Sequence, residues 1–231
     1  MIDKDARQVF RSSLLRHFDW LEHGFGTRHS EGWYDAGRLA TLKQIHSAQV
    51  IRAAGEPRLL GEGDAIITDQ PGLLAGVKTA DCLPILLADA RRHAVAAVHA
   101  GWRGTVQEIA RATVDRMREQ FGTDPRDVYA AIGPGIAECC YEVGPEVIEG
   151  LQPFFPERRL GAASMESSAA AAERAHVDLR EANRRQLLAA GVPASQIDDG
   201  APCTHCTPEE LHSFRRDKEA AGRLISIIGL R

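Results

Sequence analysis

Two imidazoles and one thiol stand out in this chain. Cys82 sits between two apolar runs in Val77-Lys78-Thr79-Ala80-Asp81-Cys82-Leu83-Pro84, and His99 ends the run Ala94-Val95-Ala96-Ala97-Val98. His46, within Gln44-Ile45-His46-Ser47, has a similar setting upstream. Each lies where a strand-like run meets a turn, and a rigid scaffold presents side chains to a ligand at such points. Two histidines and a cysteine make a three-donor set for a transition metal, and a fourth corner left open makes such a centre catalytic rather than structural. Taken singly, Cys82 reads equally well as a small buried hydrophobe, and a lone strand-end histidine such as His99 is more often a satisfied structural residue than a ligand. The polar group Lys78, Thr79 and Asp81, which breaks two apolar runs at one point, favours chemistry. Asp81 is the candidate to orient a metal-bound imidazole or to exchange a proton.

His99 leads into Ala100-Gly101-Trp102-Arg103-Gly104-Thr105, a strand, glycine turn and helix start. Such a junction aims free backbone N–H groups at a nearby anion, and the Arg103 guanidinium suits a bidentate grip on phosphate. Arg28, Gln44 and Arg215 join Arg103 as candidates for holding substrate or phosphate. A competing metal reading comes from Cys203-Thr204-His205-Cys206, a C-x-x-C to which Cys139-Cys140 could add the remaining ligands of a structural zinc site. The same pair could serve redox chemistry instead.

The elements that must position these groups are legible in part. Ala65–Thr68, Leu73–Lys78, Pro84–Ala88, Ala94–His99 and Val128–Ile132 read as short strands, and Gly222–Leu230 as a closing one. Their near-continuous apolar character points to strands covered on both faces. Val106, Ile109, Ala110, Thr113, Val114, Met117 and Phe121 share one face of a helix over Thr105–Phe121, with Thr105 and Glu108 as a capping box and Gly122 as the stop. A second helix opens at Asp178 and ends at Gly191, and a third runs from Pro145 to about Leu151. The small-residue stretch from Gly161 to Ala172 suits a surface excursion. Strands without strict alternation with helices favour a mixed α+β fold.

Composition narrows the function. The 231 residues suffice for a good core without staples, and a net charge of −4 argues against a nucleic-acid partner. The first residues carry charge where a signal peptide needs an apolar stretch, and no apolar run approaches the roughly 20 residues that span a bilayer. Five cysteines, an odd number, fit a reducing cytoplasm.

The runs Gln44-Ile45-His46-Ser47, Gly63-Asp64-Ala65, Thr79-Ala80-Asp81-Cys82-Leu83-Pro84, Ala97-Val98-His99-Ala100-Gly101-Trp102-Arg103-Gly104, Ile132-Gly133-Pro134-Gly135-Ile136, Tyr141-Glu142-Val143-Gly144 and Ser213-Phe214-Arg215-Arg216-Asp217-Lys218 occur in one order. In that order they resemble the purine nucleoside phosphorylase family, formerly labelled multicopper polyphenol oxidase or laccase domain. The resemblance runs from about Gly24 to the C-terminus. It implies one domain over residues 1–231, with a layered α/β/β/α arrangement of mixed sheets. It implies zinc at His46, Cys82 and His99, with Cys82, Asp81 and His99 in catalysis. The implied reaction is phosphorolysis of adenosine, inosine and methylthioadenosine to a ribose 1-phosphate and free base, with adenosine deamination as a side activity. A cytoplasmic monomer is implied as well. The segment from Gly26 to Lys43 is shorter than family members carry and removes part of the expected pocket wall. The Cys203/Cys206 pair lies outside the shared motifs.

Three rivals are chemically distinct. A copper-dependent polyphenol oxidase needs a type 1 copper and a trinuclear cluster rich in paired histidines. Nine scattered histidines without a His-x-His pair make any copper in such a protein adventitious. A cysteine hydrolase would use Cys82 as nucleophile and His99 as base. A binding module would keep the metal as a structural clip without turnover.

Overall fold

The computed structural model describes residues 1–161 and 174–231; the stretch expected as a surface excursion falls almost wholly outside the described residues. Two mixed β-sheets lie face to face. The first has the order Ile2–Lys4, Phe10–Ser12, Leu21–Phe25, Leu224–Leu230, Leu74–Thr79, Leu39–Lys43, Leu59–Glu62. The second runs Ile197–Asp198, Val128–Ile132, Leu83–Asp89, Ala94–Ala100, Ala65–Thr68, Val50–Arg52. Parallel and antiparallel pairs mix in both. This is the mixed-sheet, layered α+β architecture that the sequence led us to expect.

Alternation along the central strands explains the layering. From the second sheet, Ile66, Leu86, Ala88, Val95, Ala97 and Ala131 turn toward the first sheet and meet Phe25, Ala75, Val77, Leu224 and Ile228. The intervening Ile67, Ile85, Leu87, Ala96, Val98 and Ala130 face the other way, onto the helices. Leu83–Asp89 and Ala94–Ala100 are buried at every position, which is why they read as unbroken apolar runs. Each large aliphatic side chain so enclosed contributes about 1.5–3 kcal/mol. The outer face of the first sheet is covered thinly, by Trp33, Tyr34 and the 3-10 turn Ala36–Arg38, within the short 26–43 segment.

The helix expected over Thr105–Phe121 is two helices. Trp102–Val106 starts at Gly101, and Ile109–Phe121 follows after a break at Gln107-Glu108. Glu108 adopts a left-handed φ of 60° and makes no side-chain cap, so the expected capping box does not form. The Thr105 hydroxyl instead bonds back to the Gly101 carbonyl at 3.0 Å. The early start keeps Gly101 hard against the strand ends, and the break lets the longer helix bury Ile109, Ala110, Thr113, Val114 and Met117 on the sheet. Gly122 stops it at φ 70°, as expected. Leu179–Ala189 is capped by Asp178, whose side chain accepts from Glu181 N–H, and Pro145–Leu151 is helical. No described helix is long and apolar enough to cross a membrane.

Candidate metal site

Strand register assembles the centre of the site. In the antiparallel pair Leu83–Asp89/Ala94–Ala100, His99 stands opposite Pro84 and Ala100 opposite Leu83, so the residue before Leu83, Cys82, emerges beside His99. On the other side Val98 pairs with Ala65, which puts Asp64 next to His99 at the same end of the sheet. The His99 N–H donates to the Asp64 carbonyl at 2.7 Å. Three neighbouring strand ends thus deliver a thiol, an imidazole and a carboxylate to one place.

His46 arrives from the loop between Lys43 and Val50, and Asp64 anchors it. The Asp64 carboxylate accepts from the N–H of Ile45 at 3.3 Å, His46 at 3.0 Å and Ser47 at 2.6 Å, and from the Ser47 hydroxyl at 2.7 Å. Successive amides wrapped round an anion form a nest. His46 itself has a φ of 60°, left-handed for a non-glycine residue. That conformation costs of order 1–3 kcal/mol and persists only where the surroundings over-determine it. Asp81, at φ 86°, is a second such residue on the same rim.

The donor atoms of His46, Cys82 and His99 all lie within 4.8 Å of one another, and the two imidazole rings meet edge to face at 4.9 Å. Nδ1 of His99 bonds to Asp64 Oδ1 at 2.8 Å, which fixes the ring and leaves Nε2 for the centre. Gly101 closes the other side. A Cβ there would stand 2.9 Å from His46 Cδ2 and 3.1 Å from Cys82 Sγ, so the position accepts no side chain while the donors keep their places. The donor set, the oriented imidazole and the cradle at Gly101 fit a three-coordinate metal site with a vacant fourth corner.

The electrostatics are those of a thiolate–imidazolium pair. Burial pushes the Cys82 thiol up, but hydrogen bonds from His46 and His99 outweigh it and bring its pKa down to about 6. For His99, burial works against the charge, yet Asp64 and the Cys82 thiolate raise it to about 9. Burial also opposes the charge on Asp64, which its bonds from His99 and Ser47 hold at about 2. In metal-free protein, Cys82 is therefore expected to alkylate with iodoacetamide at nearly its full rate at pH 7. The rate should fall as acid protonates the thiolate below about pH 6. An ordinary thiol, with a pKa of about 8.5, would keep gaining rate well above neutrality. Peptide mass spectrometry of Cys82 across pH 5–9 reads this out, and a midpoint above about 8 would remove the pair.

This centre forms the floor of a cleft of about 530 Å³, within the roughly 300–1,000 Å³ typical of small-molecule sites. Its walls carry Lys78, Arg215 and Arg223, the aromatic rings of Tyr141 and Phe214, and the apolar side chains of Leu42 and Ile136. Arg215 lies over the Tyr141 ring at 5.4 Å and donates to the Glu142 carbonyl at 2.8 Å.

Of the residues expected from sequence, His46, Cys82, His99, Asp81, Gln44 and Arg215 line this cleft, and Arg28 and Arg103 do not. Arg28 is turned to His212 at 3.1 Å, and Arg103 lies over the Trp102 ring at 4.2 Å and faces Glu146. The helix start does not offer Thr105 to an anion either, since that residue is fully buried and bonded to Gly101. Gln44 spends both ends of its amide on the Lys78 backbone. The carboxylate that orients His99 is Asp64, not Asp81. Asp81 accepts from the Thr204 hydroxyl and the Arg215 N–H, both at 2.6 Å, so its two oxygens hold the rim together. Sequence reasoning missed Asp64, Tyr141, Phe214 and Arg223 as site residues. The first three fall inside motifs quoted above, a signal that was on the page; Arg223 carried none.

Among the described residues, one further donor group combines Cys139, Cys140, Cys203 and Cys206. Neither group contains the paired histidines of a trinuclear copper cluster.

The chain is similar to known proteins in sequence and in fold. A purine nucleoside phosphorylase of Bacteroides thetaiotaomicron is 44% identical over 164 residues, which is 71% of this chain and 59% of that protein, so the chain spans about three fifths of that relative. Adenosine deaminase RL5, from an unknown prokaryotic organism, is 43% identical over 198 residues, 82% of this chain and 74% of that one. The crystal structure of YlmD from Geobacillus stearothermophilus superposes with a TM-score of 0.86 at 28% identity, covering 100% of this chain and 98% of the other. The family model described as multi-copper polyphenol oxidoreductase laccase matches residues 28–231, and the chain belongs to that family.

Proposed function

We propose that this chain is a zinc-dependent purine nucleoside phosphorylase, acting on adenosine, inosine and methylthioadenosine, with adenosine deamination as a second activity. It is an enzyme on this reading, since the relatives described above bear the names of a nucleoside phosphorylase and an adenosine deaminase. The observation that carries the proposal is the convergence of His46, Cys82 and His99 on the floor of a cleft walled by cations and aromatic rings. We read residues 1–231 as one domain and the protein as a monomer in the cytoplasm, a reducing compartment that suits five free cysteines.

His46, Cys82 and His99 would hold the zinc ion, which supplies Lewis acidity and an open coordination position. The rest of the work falls to side chains. Lys78, Arg215 and Arg223 are the cations facing the cleft, and they bind phosphate and neutralise its charge. Arg215 is held for this by the Tyr141 ring, the Glu142 carbonyl and, through its N–H, Asp81. The rings of Phe214 and Tyr141 offer the purine a face to lie against. A phosphate oxygen forms the new bond to the anomeric carbon while the bond from that carbon to the purine nitrogen breaks. The departing base takes up the proton that the hydroxyl of the attacking monohydrogen phosphate gives up, so atoms and charge balance. With both Asp81 oxygens engaged, we assign Asp81 to positioning and not to proton delivery.

The test is inosine with metal-analysed protein, with and without phosphate. Hypoxanthine and ribose 1-phosphate are expected in equal amounts with phosphate, and neither without it. Equal release of hypoxanthine without phosphate would make the protein a hydrolase and defeat the proposal. The Cys82–His99–Asp64 order also favours a second reading, a cysteine hydrolase with an activated thiolate. A chelator separates the two, because it should abolish turnover by the zinc enzyme and spare or stimulate the thiol enzyme.

A further inference from the structure

We propose that Cys139, Cys140, Cys203 and Cys206 form a second metal site, a zinc tetrathiolate that clips two loops together behind the cleft. Sequence alone left this C-x-x-C open between metal and redox roles. What the fold adds is the meeting of two cysteine pairs more than sixty residues apart: Cys139 and Cys206 sulfurs stand 3.7 Å apart and Cys140 and Cys206 3.3 Å, with Cys139 and Cys140 at 3.6 Å. All four sulfurs lie within 4.8 Å of one another. A tetrahedral zinc ion with Zn–S bonds of about 2.3 Å needs its sulfurs about 3.8 Å apart, so the four are already near their places.

The surroundings resemble a thiolate nest more than a redox pair. The Ala137 N–H donates to Cys203 Sγ at 3.4 Å, and against the effect of burial backbone amides hold the pKa of that thiol below its ordinary value. Such amides stabilise negative charge on a ligand sulfur and orient it. The Arg216 guanidinium braces the C-x-x-C turn from outside, donating to the carbonyls of Thr204 at 2.9 Å and His205 at 3.1 Å. Loading is a proton exchange without a change of oxidation state: four S–H bonds break, four Zn–S bonds form, and the protons pass to solvent.

The position gives the clip a purpose. The 137–140 turn runs directly into Tyr141 in the cleft wall, and Thr204 lies between the two C-x-x-C sulfurs. Thr204 is fully buried, donates its N–H to the Gly135 carbonyl at 3.0 Å and its hydroxyl to Asp81. An ion bound to the four sulfurs therefore fixes Tyr141 and Asp81 relative to each other, and through Asp81 it fixes Arg215.

The test uses the full chain and keeps the two centres apart. Wild-type protein purified under reductant should carry about two zinc ions, and Cys82→Ala about one, held by the four cysteines. Cobalt added to metal-stripped Cys82→Ala should give the strong thiolate-to-cobalt charge-transfer band of a sulfur-only tetrahedral site, and Cys203→Ser/Cys206→Ser should lose that band. Since the double variant could misfold, the cobalt spectrum of Cys82→Ala stands as evidence by itself. Cys82→Ala that binds neither zinc nor cobalt, with its four remaining thiols free to titrate, would overturn the proposal. So would a Cys140–Cys206 disulfide that forms under the same reductant and excludes metal. Neither result would touch the proposed phosphorolysis, which rests on Cys82 and its two histidines.

Discussion

Cys82→Ala should reduce phosphorolysis by about 10³-fold or more, a barrier increase of about 4 kcal/mol, and should empty the His46/Cys82/His99 centre of its metal. The loss has two parts. The site drops from three protein donors to two, and two imidazoles without the thiolate hold a zinc ion weakly. The thiolate is also, with Asp64, one of two negative partners that keep His99 charged in the metal-free protein, so the His99 pKa should fall when it is removed. Stability should change little by comparison, because Cys82 lies on the cleft floor and not within either apolar core. The informative companion is Cys82→Asp, whose carboxylate is a competent zinc ligand of similar reach. It should regain metal and a measurable fraction of turnover. A thiol-based hydrolase would be equally inactive in both variants, with or without metal. Full activity in Cys82→Ala would end any account in which this side chain carries the chemistry.

Two parts of this site, Cys82 and His99, could be read from sequence because they sit at the ends of runs whose apolar character is continuous. Leu83–Asp89 and Ala94–Ala100 are buried at every position, so Cys82, just before the first run, and His99, near the end of the second, were visible as the reactive side chains at the ends of apolar runs. What brings them together is register, with Ala100 opposite Leu83, and no pattern within either strand encodes that pairing. Asp64 went unnoticed because a carboxylate after glycine looks like turn chemistry; its five donors come from residues 17 to 35 positions away. The N-terminal strands were illegible for a different reason. Leu21–Phe25 reads Leu-Glu-His-Gly-Phe, with His23 and Gly24 both buried, and it is pairing with the C-terminal strand on one side and Phe10–Ser12 on the other that makes it a strand. The break at Glu108 was hidden by a sequence that satisfied the capping-box pattern at Thr105 while tertiary packing required the helix to start three residues earlier. Arg28 was chosen for its charge and Arg103 for a guanidinium beside the glycine turn, and neither ground says which way an arginine turns.

Asp64→Asn should be nearly as damaging as the loss of Cys82, by a different route. The carboxylate is fully buried and accepts five hydrogen bonds, from His99 Nδ1, three consecutive amides and the Ser47 hydroxyl. An asparagine of the same shape has one acceptor oxygen, and whichever way it is turned its NH₂ group faces donors that need an acceptor. Bonds to a charged partner are worth about 1.5–3 kcal/mol each, so losing two or three lowers stability by several kcal/mol. The nest that holds His46 at its left-handed φ loosens, and that ring leaves the centre. At the same time His99 loses the partner that raises its pKa, and its ring is free to turn Nε2 away. Metal affinity should therefore fall by about 10–100-fold, the usual penalty for removing a carboxylate behind a ligating histidine. A merely structural role would lower the melting temperature and leave metal affinity unchanged in the fraction that remains folded. Competition with a chromophoric chelator, at a temperature where circular dichroism reports native protein, separates the two. Unchanged affinity there would reduce Asp64 to a loop anchor and return the orientation of His99 to the strand register alone.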